Sequence, residues 1–200
     1  MVEHLAVNER VAGSSPAGGA ISYINTLLQQ CPNAYHTTMA SYESILRSFA
    51  EKDLRYLIVG GVAVNLHGYP RFTNDIDILL ALDHENLKKM AEIMEDLGYQ
   101  QRLPISLEEL GDEQRVRALM EEKELTAYSF IHAEEPQFNV DVIVAESLDF
   151  EKFSAQKMHA TVWNIDVPVV SIDDLIGMKQ RSDREKDVQD VVALLELKGL

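Results

Sequence analysis

The chain has 200 residues, 46% of them hydrophobic and 26% charged, the make-up of an ordinary globular protein with room for a real core. Its formal net charge of −15 argues against a broad electrostatic grip on nucleic acid, although a local basic patch could still hold one nucleotide or one tRNA end. No apolar run approaches the roughly 20 residues that cross a bilayer and the N-terminus lacks the pattern of a signal peptide, so a cytoplasmic protein with no membrane partner is expected; Cys31, the only cysteine, rules out an internal disulfide and a Cys-rich zinc site.

Residues 1–38 differ from the rest of the chain. The stretch 11–20 is small, turn-rich and aperiodic, which predicts a flexible tail. Its Gly13-Ser-Ser-Pro16 is also what the T-arm consensus of a tRNA gene yields when read in frame. The alternative is therefore a start placed inside or beside a tRNA gene, with the protein beginning near Met39. Residues 39–200 are expected to form one domain.

From Met39 the periodicity sharpens. Tyr42, Ile45, Leu46 and Phe49 recur at helical spacing. Residues 55–59 read as a short buried strand ending at Gly60-Gly61, followed by a short helix over 62–66 with Gly68 as its stop. A second strand is expected over 76–82. Asp83 can cap the next helix, whose Leu87, Met90, Ala91, Met94 and Leu97 share one face. Ser106 and Glu109 have capping-box spacing for a more polar helix ending near Glu124. Residues 126–132 and 138–144 read as a strand pair joined by 133–136. One more strand is expected over 161–165 or 167–170, then helices over 172–181 and 186–197. This order predicts an α+β fold, a small mixed sheet flanked by helices, with helices closing the chain.

The chemistry gathers on carboxylates. Asp75 and Asp77 stand two apart in Asn74-Asp-Ile-Asp-Ile-Leu-Leu80, so in a strand both project to one face while Ile76 and Ile78 enter the core. Like charges side by side are costly unless a cation lies between them, and Mg²⁺ suits hard oxygen ligands. The bland alternative is a solvated strand edge. Asp141 lies in Phe138-Asn-Val-Asp-Val-Ile-Val144, where it shares a face with Asn139 and opposes Val140, Val142 and Val144. If the two strands are neighbours, three carboxylates converge, and Asp141 can act as general base or complete a second metal site. Upstream, Gly60 and Gly61 open a helix where backbone N–H groups can approach an anion, a role that tight turns share. Arg71 and Thr73 can contact phosphate oxygens or be plain loop residues.

Gly60-Gly61-x-Ala63, Gly68-x-x-Arg71-x-Thr73-x-Asp75-x-Asp77 and the strand of Asp141 together resemble the polymerase-β-type nucleotidyltransferase superfamily, and more closely its AbiEii-like branch, which includes toxin components of toxin–antitoxin pairs. Asp174-Leu-Ile-Gly-Met-Lys179 and Arg184-Glu-Lys-Asp187-Val-Gln-Asp190 are similar to that branch's later motifs, so the likeness runs from about Tyr56 to Leu195. The resemblance implies two-metal transfer of NMP from an NTP to an acceptor hydroxyl on a small molecule, a protein or a tRNA, with an antitoxin as a possible partner. It implies that Asp75 and Asp77 hold Mg²⁺, that Asp141 activates the acceptor or joins the metal site, that Gly60 and Gly61 cradle the triphosphate, and that Lys179 neutralises phosphate charge. Asp190 would orient that charge or bind the acceptor. Against these roles stand a plain solvated Lys179 and an ordinary surface pair between Lys186 and Asp190, four apart on a helix. The chain has Gly-Gly where the superfamily often has Gly-Ser, and it lacks a large extra domain for a polymer, which favours single transfers.

His67, His84, His132 and His159 lack zinc-type spacing, and Trp163 and Phe138 are expected in the core. A non-catalytic nucleotide- or partner-binding module of the same fold, and a metal-dependent phosphohydrolase, remain as alternative functions.

Overall fold

The computed structural model describes residues 34–136, 138–182 and 184–199. The readings made on residues 1–33 lie outside them. Helix α1 (Ala34–Glu51) starts ahead of the periodic residues, and its Ile45, Leu46 and Phe49 enter the core. Strand β1 (Tyr56–Ile58) leads into α2 (Gly60–His67), and β2 (Ile76–Leu80) comes after the intervening loop. Helix α3 (His84–Asp96) is capped as expected, the Asp83 carboxylate accepting from the Asn86 N–H.

Strand β3 (Tyr99–Gln101) escaped the sequence because three residues, two of them glutamine, carry no period. The capping box at Ser106 exists, but it starts a 3-10 turn (Leu107–Gly111) rather than the long helix. Asp112 then caps a separate α4 (Glu113–Lys123), accepting from the Gln114 and Arg115 N–H groups. Strands β4 (Ala127–His132) and β5 (Asn139–Ile143) form the expected pair, and two short helices come next, α5 (Val144–Ser147) and α6 (Phe150–Ser154).

Where one further strand was expected there is a hairpin, β6 (Met158–Val162) and β7 (Ile165–Val169). Its two-residue turn is Trp163-Asn164, both at positive φ, a conformation normally signalled by glycine and therefore invisible here. Trp163 is half-buried in that turn and packs against the core's rim instead of inside it. Helices α7 (Ile172–Gln180) and α8 (Glu185–Leu197) close the chain.

The strands form one seven-stranded mixed sheet in the order β3-β4-β5-β2-β1-β7-β6. Its centre is buried throughout: Leu57, Ile58, Ile78, Leu79, Leu80, Val140 and Val142 are wholly excluded from solvent. β2 runs parallel to β5 and antiparallel to β1. The fold is thus the small mixed sheet flanked by helices that the sequence predicts. No helix among the described residues is long and apolar enough to cross a membrane.

Candidate active site

Strand alternation assembles the site. In β5 the pattern is half-buried and buried by turns, so Asn139 and Asp141 face one side and Val140 and Val142 the core. In β2 Asp77 is the one residue not fully buried. The parallel pairing sets Asp77 opposite Asp141, with Ile76 opposite Val140 and Ile78 opposite Val142, so the apolar and acidic rows stay separate. Asp75 does not belong to the strand. It sits one residue before β2, in the loop after Gly68, close enough for its charge to act on both other carboxylates.

That loop is held from three sides. The Arg71 N–H donates to Asn65 Oδ1 of α2 at 2.7 Å, the Tyr42 hydroxyl of α1 to the Thr73 carbonyl at 3.3 Å, and Arg71 Nε lies 2.9 Å from Asp190 Oδ1 of α8. The last contact is a charge contact at ion-pair distance without hydrogen-bond alignment. Gly60 is at φ +60°, and a Cβ there would stand 1.8 Å from Asp77 Oδ2. A Cβ on Gly61 would meet Arg71 Nη2 and Thr73 Oγ1, each at 2.8 Å. Gly60 is needed for the turn to approach Asp77 this closely, whereas a side chain at Gly61 would require Arg71 and Thr73 to shift. The Gly61 N–H, at the start of α2, favours the charged form of Asp77 by hydrogen bonding to it.

Burial first, then the charges of Asp141 and Asp75, push the Asp77 carboxyl up to about 6, against the Gly61 N–H and Lys179. Burial also pushes Asp141 up, with Asp75 adding to it; the Ser129 hydroxyl and Arg102 act the other way. Burial and then Asp75 likewise raise the Tyr42 phenol. Two acceptors on this face, Asn139 Oδ1 and Asp141 Oδ1, are buried with no hydrogen-bond partner. An unsatisfied buried acceptor costs about 1–3 kcal/mol, so the face is built for something that supplies positive charge or donors.

Lys179 and Asp190 are not surface residues. Lys179 is 9% exposed and Asp190 1%. Lys179 Nζ lies 2.5 Å from Asp187 Oδ1 and 2.9 Å from Asp190 Oδ2, so neither the solvated lysine nor the Lys186–Asp190 pair describes this region. Asp187 was not singled out from the sequence, and neither was Ser129, which stands opposite Asp141 across the β4–β5 pair. An antiparallel register centred on the 133–136 connection would set Tyr128 opposite Asp141, one residue away from the observed Ser129, so the sequence held no usable signal for it. Of the histidines, His67 bonds the Val170 carbonyl at 2.9 Å and His132 accepts from the Glu134 and Glu135 N–H groups. Both have structural roles.

Among the described residues, no three His, Cys, Asp or Glu side chains lie close enough together to form a metal cage of their own. The orphaned Asp141 oxygen beside the register-paired Asp77 nevertheless fits a hard cation. Mg²⁺ is usually held by one or two carboxylates together with substrate phosphates, not by an all-protein cage.

The solved structures this chain is similar to share its fold. The lincosamide antibiotic adenylyltransferase LnuA, in its lincomycin-bound crystal structure, matches with a TM-score of 0.53 at 17% identity, over 79% of this chain and 96% of that one. The antibiotic-resistance factor ANT(2'')-Ia, in a solution structure, matches at 0.52 with 15% identity, over 80% and 83%. An antigenic nucleotidyltransferase-like protein from Paracoccidioides brasiliensis matches at 0.50 with 16% identity, over 80% and 75%. At such identities the likeness speaks for the fold alone. No curated protein matches the sequence significantly. Residues 44–200, which hold the whole carboxylate face, the glycine turn and both closing helices, match the family described as nucleotidyl transferase AbiEii toxin of the type IV toxin–antitoxin system; the chain belongs to that family of nucleotidyltransferases.

Proposed function

We propose that this protein transfers NMP from an NTP to an acceptor hydroxyl in a Mg²⁺-dependent reaction. The observation that carries the reading is the pairing of Asp77 with Asp141 beside the Gly60–Gly61 turn, with one Asp141 oxygen left unsatisfied. Asp75 and Asp77 would hold Mg²⁺, which when bound supplies Lewis-acid polarisation of the phosphate and neutralises its charge. Gly60 and Gly61 bring the N-terminus of α2, with its partial positive charge, up to the triphosphate, while the Gly61 N–H itself holds Asp77. Arg71, Thr73 and Lys179 flank it, and Asp190 positions both cations through its two ion pairs. Asp141 takes the proton of the acceptor hydroxyl as the hydroxyl oxygen bonds the α-phosphorus. The α–β anhydride bond breaks and pyrophosphate leaves. The acceptor class is a small molecule, a protein or a tRNA, and the family setting makes a toxin role with an antitoxin partner the expected biological context.

The test is incubation with each labelled NTP and Mg²⁺, with and without total tRNA, comparing the wild type with Asp77→Asn. Label transferred by the wild type alone establishes the enzyme and identifies the acceptor class. Equal labelling by Asp77→Asn overturns the metal assignment. Mg²⁺-dependent NTP binding with no transfer to any acceptor favours a binding module instead.

A further inference from the structure

The chain carries 33 acidic residues against 18 basic ones, so a guanidinium has carboxylates on offer almost everywhere. Seven of the eight described arginines accordingly sit in ion pairs. Arg102 is exposed and forms none with any described residue. Its place is set by the sheet. β3 pairs with β4 so that Gln101 faces Phe130, and the next backbone bond, the Arg102 N–H to the Ser129 carbonyl at 2.9 Å, brings Arg102 opposite Ser129. Ser129 is opposite Asp141, and Asp141 opposite Asp77.

Residues directly opposite one another on neighbouring strands point to the same face. Asp77, Asp141, Ser129 and Arg102 therefore form one row across three strands and the first residue after β3, running from the proposed metal carboxylates to a cation whose charge reaches Asp141 but which makes no direct ion pair with a described residue. The groups assigned to the triphosphate, namely Gly60, Gly61, Arg71 and Lys179, belong to the loop and helices around α2, away from the β3 end of this row. With the triphosphate groups on the α2 side, an acceptor that presents its hydroxyl to Asp141 from the other side would come over Ser129 toward Arg102. Strands are spaced about 4.8 Å apart, so two spacings separate Asp141 from Arg102 by on the order of 10 Å. A guanidinium there forks naturally onto a phosphate or carboxylate.

We propose that the row from Asp141 through Ser129 to Arg102 is the acceptor subsite, and that the acceptor carries an anionic group, phosphate or carboxylate, which Arg102 binds within about 10 Å of the reacting hydroxyl. This rests on the nucleotidyl-transfer reading and narrows its acceptor to anionic molecules. Two sources share that chemistry: the phosphodiester next to the end of a single-stranded RNA, and a small phosphorylated or carboxylated metabolite.

The test measures binding, so it needs no turnover. With Mg²⁺ and a saturating non-hydrolysable NTP analogue, the wild type, Arg102→Glu and Arg102→Lys are titrated with a labelled RNA trinucleotide bearing a free 3′-hydroxyl, with glycerol 3-phosphate, and with glycerol as the neutral control. The expected result is binding of at least one anionic probe and none of glycerol. Arg102→Glu should weaken that binding about tenfold or more, Arg102→Lys should retain part of it, and affinity for the NTP analogue should be unchanged. Binding of the trinucleotide alone indicates a strand end, and binding of glycerol 3-phosphate as well indicates a small molecule. The inference is overturned if neither anionic probe binds the wild type, or if Arg102→Glu binds as tightly. Failure of the analogue to bind would instead count against the nucleotidyl-transfer reading, and the probes titrated without it still report on Arg102.

Discussion

Two pairs of aspartates lie near one another in this protein in opposite electrostatic states. Asp77 and Asp141, on β2 and β5, face each other with like charge; both carboxyls are pushed up, and one buried oxygen has no partner. Asp187 and Asp190, three apart on α8, are also buried, yet both share the Lys179 ammonium, and Asp190 holds Arg71 as well. Burial alone would raise Asp187, but Lys179, Ser182 and Arg184 outweigh it and hold its carboxyl below the usual range. The first pair has no cation in direct contact, whereas the second has its charge balanced by Lys179 and Arg71, although Asp190 Oδ2 is met at ion-pair distance without hydrogen-bond alignment. The same residue type is thus a binding element or a structural one according to what faces it.

The largest effect should come from breaking the charge-balanced pair. Asp190→Ala leaves the Lys179 and Arg71 charges without their shared carboxylate, and is expected to cost about 3–5 kcal/mol in denaturant unfolding. A loss under about 1 kcal/mol would mean that the network is not the structural element described.

Breaking the unsatisfied pair should act with the opposite sign. The native state holds the Asp77 proton up to about pH 6, whereas the unfolded chain releases it near its ordinary value of 3.8. Native molecules therefore bind more protons between these limits, and stability falls as pH rises through them. In EDTA, Asp77→Asn should stabilise the protein by on the order of 2–3 kcal/mol above pH 6, and the gain should vanish below about pH 4. A destabilised variant at pH 8 would show that Asp77 is already compensated by the protein.

A smaller and mirrored effect is expected at Asp187, whose native carboxyl is held low. Its contribution is present at neutral pH and is lost as pH falls below the unfolded value. Asp187→Asn should then cost about 1–2 kcal/mol at pH 7 and progressively less toward pH 3, as measured by thermal melts across that range. Parallel pH trends in the two Asn variants would dissolve the contrast between the pairs.

Periodicity made most elements legible. The apolar stripe of α1, the Asp83 cap and the alternation of β5 are local patterns, and each formed where expected. What failed had no local mark: the three-residue β3, and the Trp163-Asn164 turn that adopts a glycine-type conformation without glycine. The capping box at Ser106 was read correctly but could not reveal that Asp112 would start a second helix shortly afterwards. A cap announces a beginning and says nothing of how far the helix will run.

The sequence by itself determined the order of elements, the membership of Asp77 and Asp141 in strands with apolar alternate faces, and the glycine turn ahead of them. These depend on neighbours within a few residues, which the chain carries along wherever it goes. Only the tertiary structure decided that Asp77 and Asp141 are register partners, that Lys179 and Arg71 share Asp190, and that Ser129 and Arg102 extend the acidic row. Those relations join segments far apart in the chain. Whether a charged side chain is solvated, paired or left waiting depends on which element packs across from it, and no local pattern encodes that.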